Sequence, residues 1–197
     1  NLFPETIDKI SNELTPMVAT ARLIKQEHPD ASVVFIGPCA SKKLEASRRT
    51  VRSDVDFVIT FEELTGMFEA KGILLDEIKA MDEMKDATAA GRGYGVAGGV
   101  ANAIKECIEK YYPGTPVNIQ HAESLAECKK ALLLAKAGKM NGCLIEGMAC
   151  PGGCIAGAGT NIAIPVAARA VDKFKNEAEK KVPDESVDQE MVELEKE

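Results

Sequence analysis

Short apolar runs that end in turns and alternate with helical patterns constrain this 197-residue chain more than any other feature. Four such runs lie near residues 32–37, 56–60, 116–121 and 143–147, and helical patterns fit 5–28, with a break near Pro16, then 41–50, 61–71, 99–112 and 123–138. Alternation of this kind predicts an α/β fold with parallel sheets flanked by helices. Open sheets of that type bind ligands beyond the carboxyl ends of their strands. Residues 76–95 are rich in Gly, Ala, Asp and Lys without clear periodicity, so they are expected to link two sheet halves. A two-lobed molecule with its site in the cleft follows.

Two of the predicted strand ends carry thiols. The run Ser32 to Ile36 leads into Gly37-Pro38-Cys39 and then a basic helical start at Ser41-Lys42-Lys43. The run Cys143 to Gly147 leads into Met148-Ala149-Cys150-Pro151-Gly152-Gly153-Cys154, two thiols four residues apart in a loop whose glycines leave the backbone uncovered. Such a loop can hold a bulky inorganic sulfur cluster. Alone, a Cys-x-x-x-Cys pair fits zinc or packing as well as iron. A structural zinc would want four tetrahedral ligands, and neither His28 nor His121 stands beside a cysteine pair. Thiolates are the natural ligands of an iron–sulfur cube, which usually takes four. Cys39, Cys150 and Cys154 make three.

The other three of the six cysteines, Cys107, Cys128 and Cys143, fall on apolar faces and are expected to pack in the core. Uneven spacing in a chain large enough to need no staples argues for reduced thiols in a cytoplasm rather than disulfides. A net charge of −7 argues against nucleic acid as a partner. No apolar run approaches the roughly 20 residues of a membrane-spanning helix, and no secretory signal is visible. A start at Asn1 rather than Met is what a chain that has lost its beginning would show. From about Asp172 the chain turns strongly charged, so residues 1–171 are expected to form the domain and 172–197 a charged helical tail or linker, able to lead into further domains of a longer parent chain. Gly93 to Gly98 matches a dinucleotide fingerprint literally, but no strand precedes it and no acidic residue ends a second strand about 20 residues on, which argues against nicotinamide binding.

Gly37-Pro38-Cys39-Ala40-Ser41-Lys42-Lys43-Leu44-Glu45 resembles the second signature of the iron-only (FeFe) hydrogenases, and the stretch Glu146 to Gly159 resembles the third. Weaker similarity covers most of residues 1–165, including Leu14-Thr15-Pro16, Asp56 to Leu64 and Tyr94 to Val100. The resemblance implies the C-terminal part of the H-cluster domain of the large subunit. It makes Cys39, Cys150 and Cys154 ligands of a 4Fe-4S cluster, with Cys154 bridging to a diiron subcluster that carries CO and CN ligands. The fourth ligand would come from an earlier signature with adjacent cysteines, which does not stand in this sequence. By the same resemblance Lys42 would donate to a cyanide, a residue that would otherwise read as a solvated lysine at a helix start. Met148 would pack on the diiron face, and Pro16, Gly37, Pro38, Tyr94 and Gly153 would line the pocket. Glu146 and Glu45 are proton-relay candidates or structural supports, and Ser11 aligns with a serine on the family's proton path.

The implied function is reversible H2 oxidation and proton reduction, with ferredoxin or another iron–sulfur electron carrier as partner. Several residues depart from the family pattern. Gly37 stands where catalytic members usually have methionine, Ala158 and Thr160 where they have glycine and glutamine, and Met17 replaces a polar residue beside Pro16. Each change is expected to remove a contact to the diiron ligands, as in the divergent, sensory branch of the family. The alternative is therefore a hydrogen- or redox-sensing module, or an assembly-type relative without turnover. Without a cluster, the loops at 37–45 and 148–160 are expected to be mobile.

Overall fold

The computed structural model describes residues 3–48, 53–79 and 87–183. These fall into two compact units. One comprises residues 11–48, 53–79 and 157–161, and the other residues 3–10, 87–156 and 162–183. Each holds a pair of parallel strands with helices, the α/β organisation expected from the alternation.

In the first of these units, helix α1 (Pro16–Glu27) opens on a proline, whose fixed φ and missing N–H suit the first helical turn. The expected helix over 5–28 is thereby divided. Pro4–Lys9 forms a separate 3-10 turn that belongs to the other unit, and residues 11–15 are non-helical. Strand β1 (Val34–Gly37), helix α2 (Ser41–Ser47), strand β2 (Phe57–Thr60) and helix α3 (Phe61–Ala70) follow. The strands run parallel with Val34 opposite Phe57 and Gly37 opposite Thr60.

Strand side chains alternate between faces. On the covered side Phe35 and Val58 pack against a core of Met17, Val18, Ala21, Val33 and Val55. On the other, Val34 and Ile36 are each 43% exposed and Phe57 64% exposed. The Asp56 carboxylate accepts a hydrogen bond from Val33 N at 2.7 Å and pairs with Lys25 at 3.0 Å, tying α1 to the strand ends. At the junction of β2 and α3, Thr60 and Glu63 form a reciprocal capping box that stops the strand and starts the helix within one residue.

In the other unit, helix α4 (Ala89–Arg92) and helix α5 (Gly99–Tyr111) precede strand β3 (Asn118–Glu123), helix α6 (Leu125–Lys136), strand β4 (Cys143–Met148) and helix α7 (Ile164–Asn176). β3 and β4 are parallel, Asn118 opposite Cys143 and Glu123 opposite Met148. The buried positions here are mostly alanine: Ala89, Ala90, Ala101, Ala103, Ala122, Ala131, Ala135 and Ala167. Small side chains let helix and strand backbones approach closely. Arg92 stacks 4.2 Å from the Phe174 ring, fastening α4 to α7.

Some expectations shift. β3 runs two residues later than the apolar run at 116–121, and α6 starts at Leu125 because Ser124 caps it. α7 begins at Ile164, well ahead of the charged stretch, and continues past Asp172. The expected connection at 76–95 contains the 3-10 turn Leu75–Glu77 at its start and α4 near its end, while 80–86 and the tail at 184–197 lie outside the described residues. Cys107, Cys128 and Cys143 are half-buried rather than core. Among the described residues no helix is long and apolar enough to cross a membrane.

Candidate functional site

Cys39 sits in the turn between β1 and α2, just past the carboxyl end of its strand and half-buried. Its carbonyl accepts Lys42 N at 3.3 Å, so the turn passes directly into α2. Pro38 O accepts Gly159 N at 3.0 Å, and Gly159 O in turn accepts Glu62 N at 3.1 Å. The short segment 157–161, which follows the second cysteine motif in sequence, is thereby held between the Cys39 turn and the start of α3.

Lys42 does not project freely from α2. Its ammonium donates to Glu45 Oε2 at 2.7 Å, and Thr15, the residue before Pro16, donates to the other oxygen of the same carboxylate. Burial alone would raise the Glu45 pKa, but hydrogen bonds from Lys42 and Thr15 and the charges of Lys42 and Arg48 outweigh it and hold the carboxyl below its usual range. Pro16 is exposed at the first position of α1, whereas Met17 is 4% exposed and lies in the core. Met17 packs with Val18, Ala21, Val33 and Val55 in the core of its unit. Gly37 is buried, and a Cβ on it would stand 2.7 Å from Phe35 Cε1, so any side chain there requires that ring to move. Ser11 is exposed and its hydroxyl accepts Glu13 N at 3.2 Å.

The second cysteine turn is built on β4. Met148 ends the strand half-buried, Cys150 is half-buried and Cys154 is exposed, and both thiols are free. The turn closes on itself through Gly153 N to Cys150 O at 2.9 Å. It docks on residues 95–97: Ala97 N donates to Gly152 O at 3.1 Å, Ile155 N to Gly95 O at 3.1 Å, and Val96 and Gly153 form an antiparallel bridge. Gly153 is irreplaceable on two grounds. Its φ is +89°, and a Cβ would lie 2.4 Å from Ala97 N. Tyr94 lies just before the docking strip, half-buried, and burial followed by the neighbouring Cys107 and Glu146 pushes its phenol pKa up.

Glu146, 8% exposed, reaches from β4 to the amino end of α5. The N-cap there is Gly98, which has no side-chain oxygen. Glu146 supplies it, accepting from Gly98 N at 2.6 Å, Val100 N at 3.0 Å and Ala101 N at 3.2 Å. His121 Nδ1 lies 3.2 Å from the same carboxylate. An acceptor so fully used fits the structural-support alternative for Glu146 better than that of a relay.

Two contributors escaped the sequence reading. Glu123, the last residue of β3, accepts Gly152 N at 2.9 Å in the middle of the cysteine turn. Thr15 grips Glu45. The pattern Ser124-x-x-Glu127, a helix-start signature, marks Glu123 as a strand-end residue and was the available signal.

Within each unit, then, a thiol-bearing turn of small residues leaves a parallel strand at its carboxyl end. Soft sulfur donors on uncovered glycine turns fit an iron–sulfur group. Among the described residues, no three His, Cys, Asp or Glu side chains gather closely enough to hold a single metal ion.

Comparison with known proteins agrees with this arrangement. The chain is 29% identical over 213 residues to the periplasmic Fe hydrogenase large subunit of Nitratidesulfovibrio vulgaris, covering 87% of this chain and 50% of that protein. It is 26% identical over 200 residues to iron hydrogenase 1 of Clostridium pasteurianum, covering 81% of this chain and 35% of that one. A shorter region of 64 residues, 32% of this chain and 14% of the relative, is 41% identical to the cytosolic Fe-S cluster assembly factor NAR1 of Kluyveromyces lactis. The chain therefore spans half or less of the length of these relatives. Among solved structures, the apo FeFe-hydrogenase HydA1 from Chlamydomonas reinhardtii superposes with a TM-score of 0.63 at 19% identity, over 91% of this chain and 63% of that one. That likeness shows a shared fold. The family described as iron only hydrogenase large subunit, C-terminal domain, matches residues 1–158, both cysteine turns included, and the chain belongs to that family.

Proposed function

We propose that this chain is an iron–sulfur redox domain in which Cys39, Cys150 and Cys154 ligate a 4Fe-4S cluster, and in which Cys154 also bridges to a diiron subcluster carrying CO and CN ligands. The observation that carries the reading is the common construction of the two cysteine turns. Each follows the carboxyl end of a parallel strand, and Gly159, five residues beyond Cys154, hydrogen-bonds to Pro38, the neighbour of Cys39. A cube takes four thiolates, so the reading calls for a fourth ligand from another segment or chain. When bound, the cluster supplies electron transfer and the diiron group supplies reversible H2 oxidation and proton reduction, with ferredoxin or a similar iron–sulfur carrier as partner.

The protein's own residues orient and enclose. Gly153 keeps the second turn flat against residues 95–97. Met148, Pro16, Pro38, Gly37 and Tyr94 line the pocket on this reading, and Lys42 serves it as a cation already anchored to Glu45, able to exchange that partner for an anionic ligand. Ser11 would take part in proton delivery. A reducing compartment, the cytoplasm, keeps the thiols ready for iron. Residues 1–171 form the domain and the charged tail leads toward further domains of a longer parent chain.

A second reading is a sensing or assembly-type module that holds a cluster without turnover. The ion pair occupying Lys42 and the missing side chain at Gly37 favour it. Anaerobic reconstitution with iron and sulfide, followed by iron and acid-labile sulfide analysis and infrared spectroscopy after maturation, separates the two. Strong carbonyl and cyanide bands support the hydrogenase reading. A cube without them supports the second, and no cluster in the full parent chain, or one unaffected by Cys39→Ala, refutes both.

A further inference from the structure

We propose that Glu123 is a positioning residue for the Cys150–Cys154 turn, and that by occupying the Gly152 N–H and placing a carboxylate beside the turn it keeps a cluster bound there hard to reduce. The second half of this proposal rests on the iron–sulfur reading above. The first stands on geometry alone.

Glu123 closes β3 opposite Met148, at the point where the two strands deliver the chain to the turn. Its placement is over-determined. Its own N–H donates to Glu127 Oε2 at 2.8 Å, Ser124 N donates to Met148 O at 2.8 Å, and Ser124 Oγ accepts Glu127 N at 3.2 Å. Ser124 is held at φ 142° and ψ 161°, a conformation that non-glycine residues adopt only when surrounding bonds force it. The forced corner leaves the Glu123 carboxylate free to accept Gly152 N at 2.9 Å.

Other amides of the turn are also committed. Gly153 N goes to Cys150 O, Ile155 N to Gly95 O and Ala156 N to Gly153 O, while Pro151 has no N–H. Gly152 N takes its partner from a side chain, so a substitution can release it. N–H donors to cluster or thiolate sulfur raise a cluster's potential, and nearby negative charge lowers it. Glu123 acts in the lowering direction on both counts.

The test uses Glu123→Gln, which keeps an acceptor for Gly152 N and drops the charge, and Glu123→Ala, which removes both. In the metal-free full chain, amide exchange at Gly152 should accelerate about tenfold or more in the alanine variant and stay within about threefold of wild type in the glutamine variant. After anaerobic loading with iron and sulfide, dithionite-poised titration followed by electron paramagnetic resonance should give a less negative one-electron midpoint for the glutamine variant and a still less negative one for alanine. Unchanged Gly152 exchange in Glu123→Ala overturns the positioning role. A midpoint that stays put or becomes more negative in both variants overturns the electronic role. Failure of the wild-type chain to load any cluster refutes the electronic role together with the iron–sulfur reading, while the exchange measurement still decides the positioning role.

Discussion

A single carboxylate, Glu146, accepts three backbone amides at the amino end of α5, a helix whose own cap residue is a glycine. Hydrogen bonds to a charged group contribute about 1.5–3 kcal/mol each in favourable cases, and two of the amides left behind belong to buried residues, Gly98 and Ala101. Glu146→Ala should therefore lower the unfolding free energy by roughly 3 kcal/mol. Glu146→Gln, which keeps one acceptor oxygen, should lose about half as much. Urea denaturation checks this; equal losses in the two variants would mean that packing rather than acceptance matters. From sequence Glu146 was legible only as an acid near a cysteine motif, because the partner amides lie 45 to 48 residues away.

At the scale of elements, α2 is a short helix fastened through Glu45, in its second turn, to Thr15 at the start of α1. Thr15 and Lys42 both donate to Glu45. The folded Glu45 pKa is lowered, so the unfolded state binds more protons in the acid range. The stability Glu45 contributes is fully present above the unfolded value, about 4.3, and is lost as pH falls through the folded value. Glu45→Gln should flatten the acid limb of the stability profile and lower stability at pH 7, while leaving stability at the most acid end nearly unchanged. Denaturation midpoints across the acid range decide it. All four strands were legible within two residues at each end, since short apolar runs rich in β-branched residues and bounded by turns mark them directly. α7 was missed ahead of Asp172 because its buried contact is Ala167, which carries little periodic signal; its packing on α4 is a tertiary matter.

For the whole molecule, each unit has a small core. Among the described residues Val18 is the large side chain buried most completely, and apolar side chains on β1 and β2 remain open. On the proposed reading, in which Cys39, Cys150 and Cys154 ligate one cube, loading with iron and sulfide should slow amide exchange across 37–45 and 148–160 together. Cys154→Ala should abolish the slowing in both. Slowing confined to one turn would mean that the two do not share a cluster.

The alternation of strands and helices, the thiols at strand ends and the family resemblance were all determined by the sequence, because they rest on local periodicity, turn chemistry and motif spacing. Which carboxylate meets which amide was decided only by tertiary structure. Glu146 under α5, Glu123 on Gly152, Thr15 on Glu45 and Met17 in the core depend on strand register and helix packing. A one-residue change of register would turn each strand residue to the opposite face, and nothing in the adjacent residues records the distant partner.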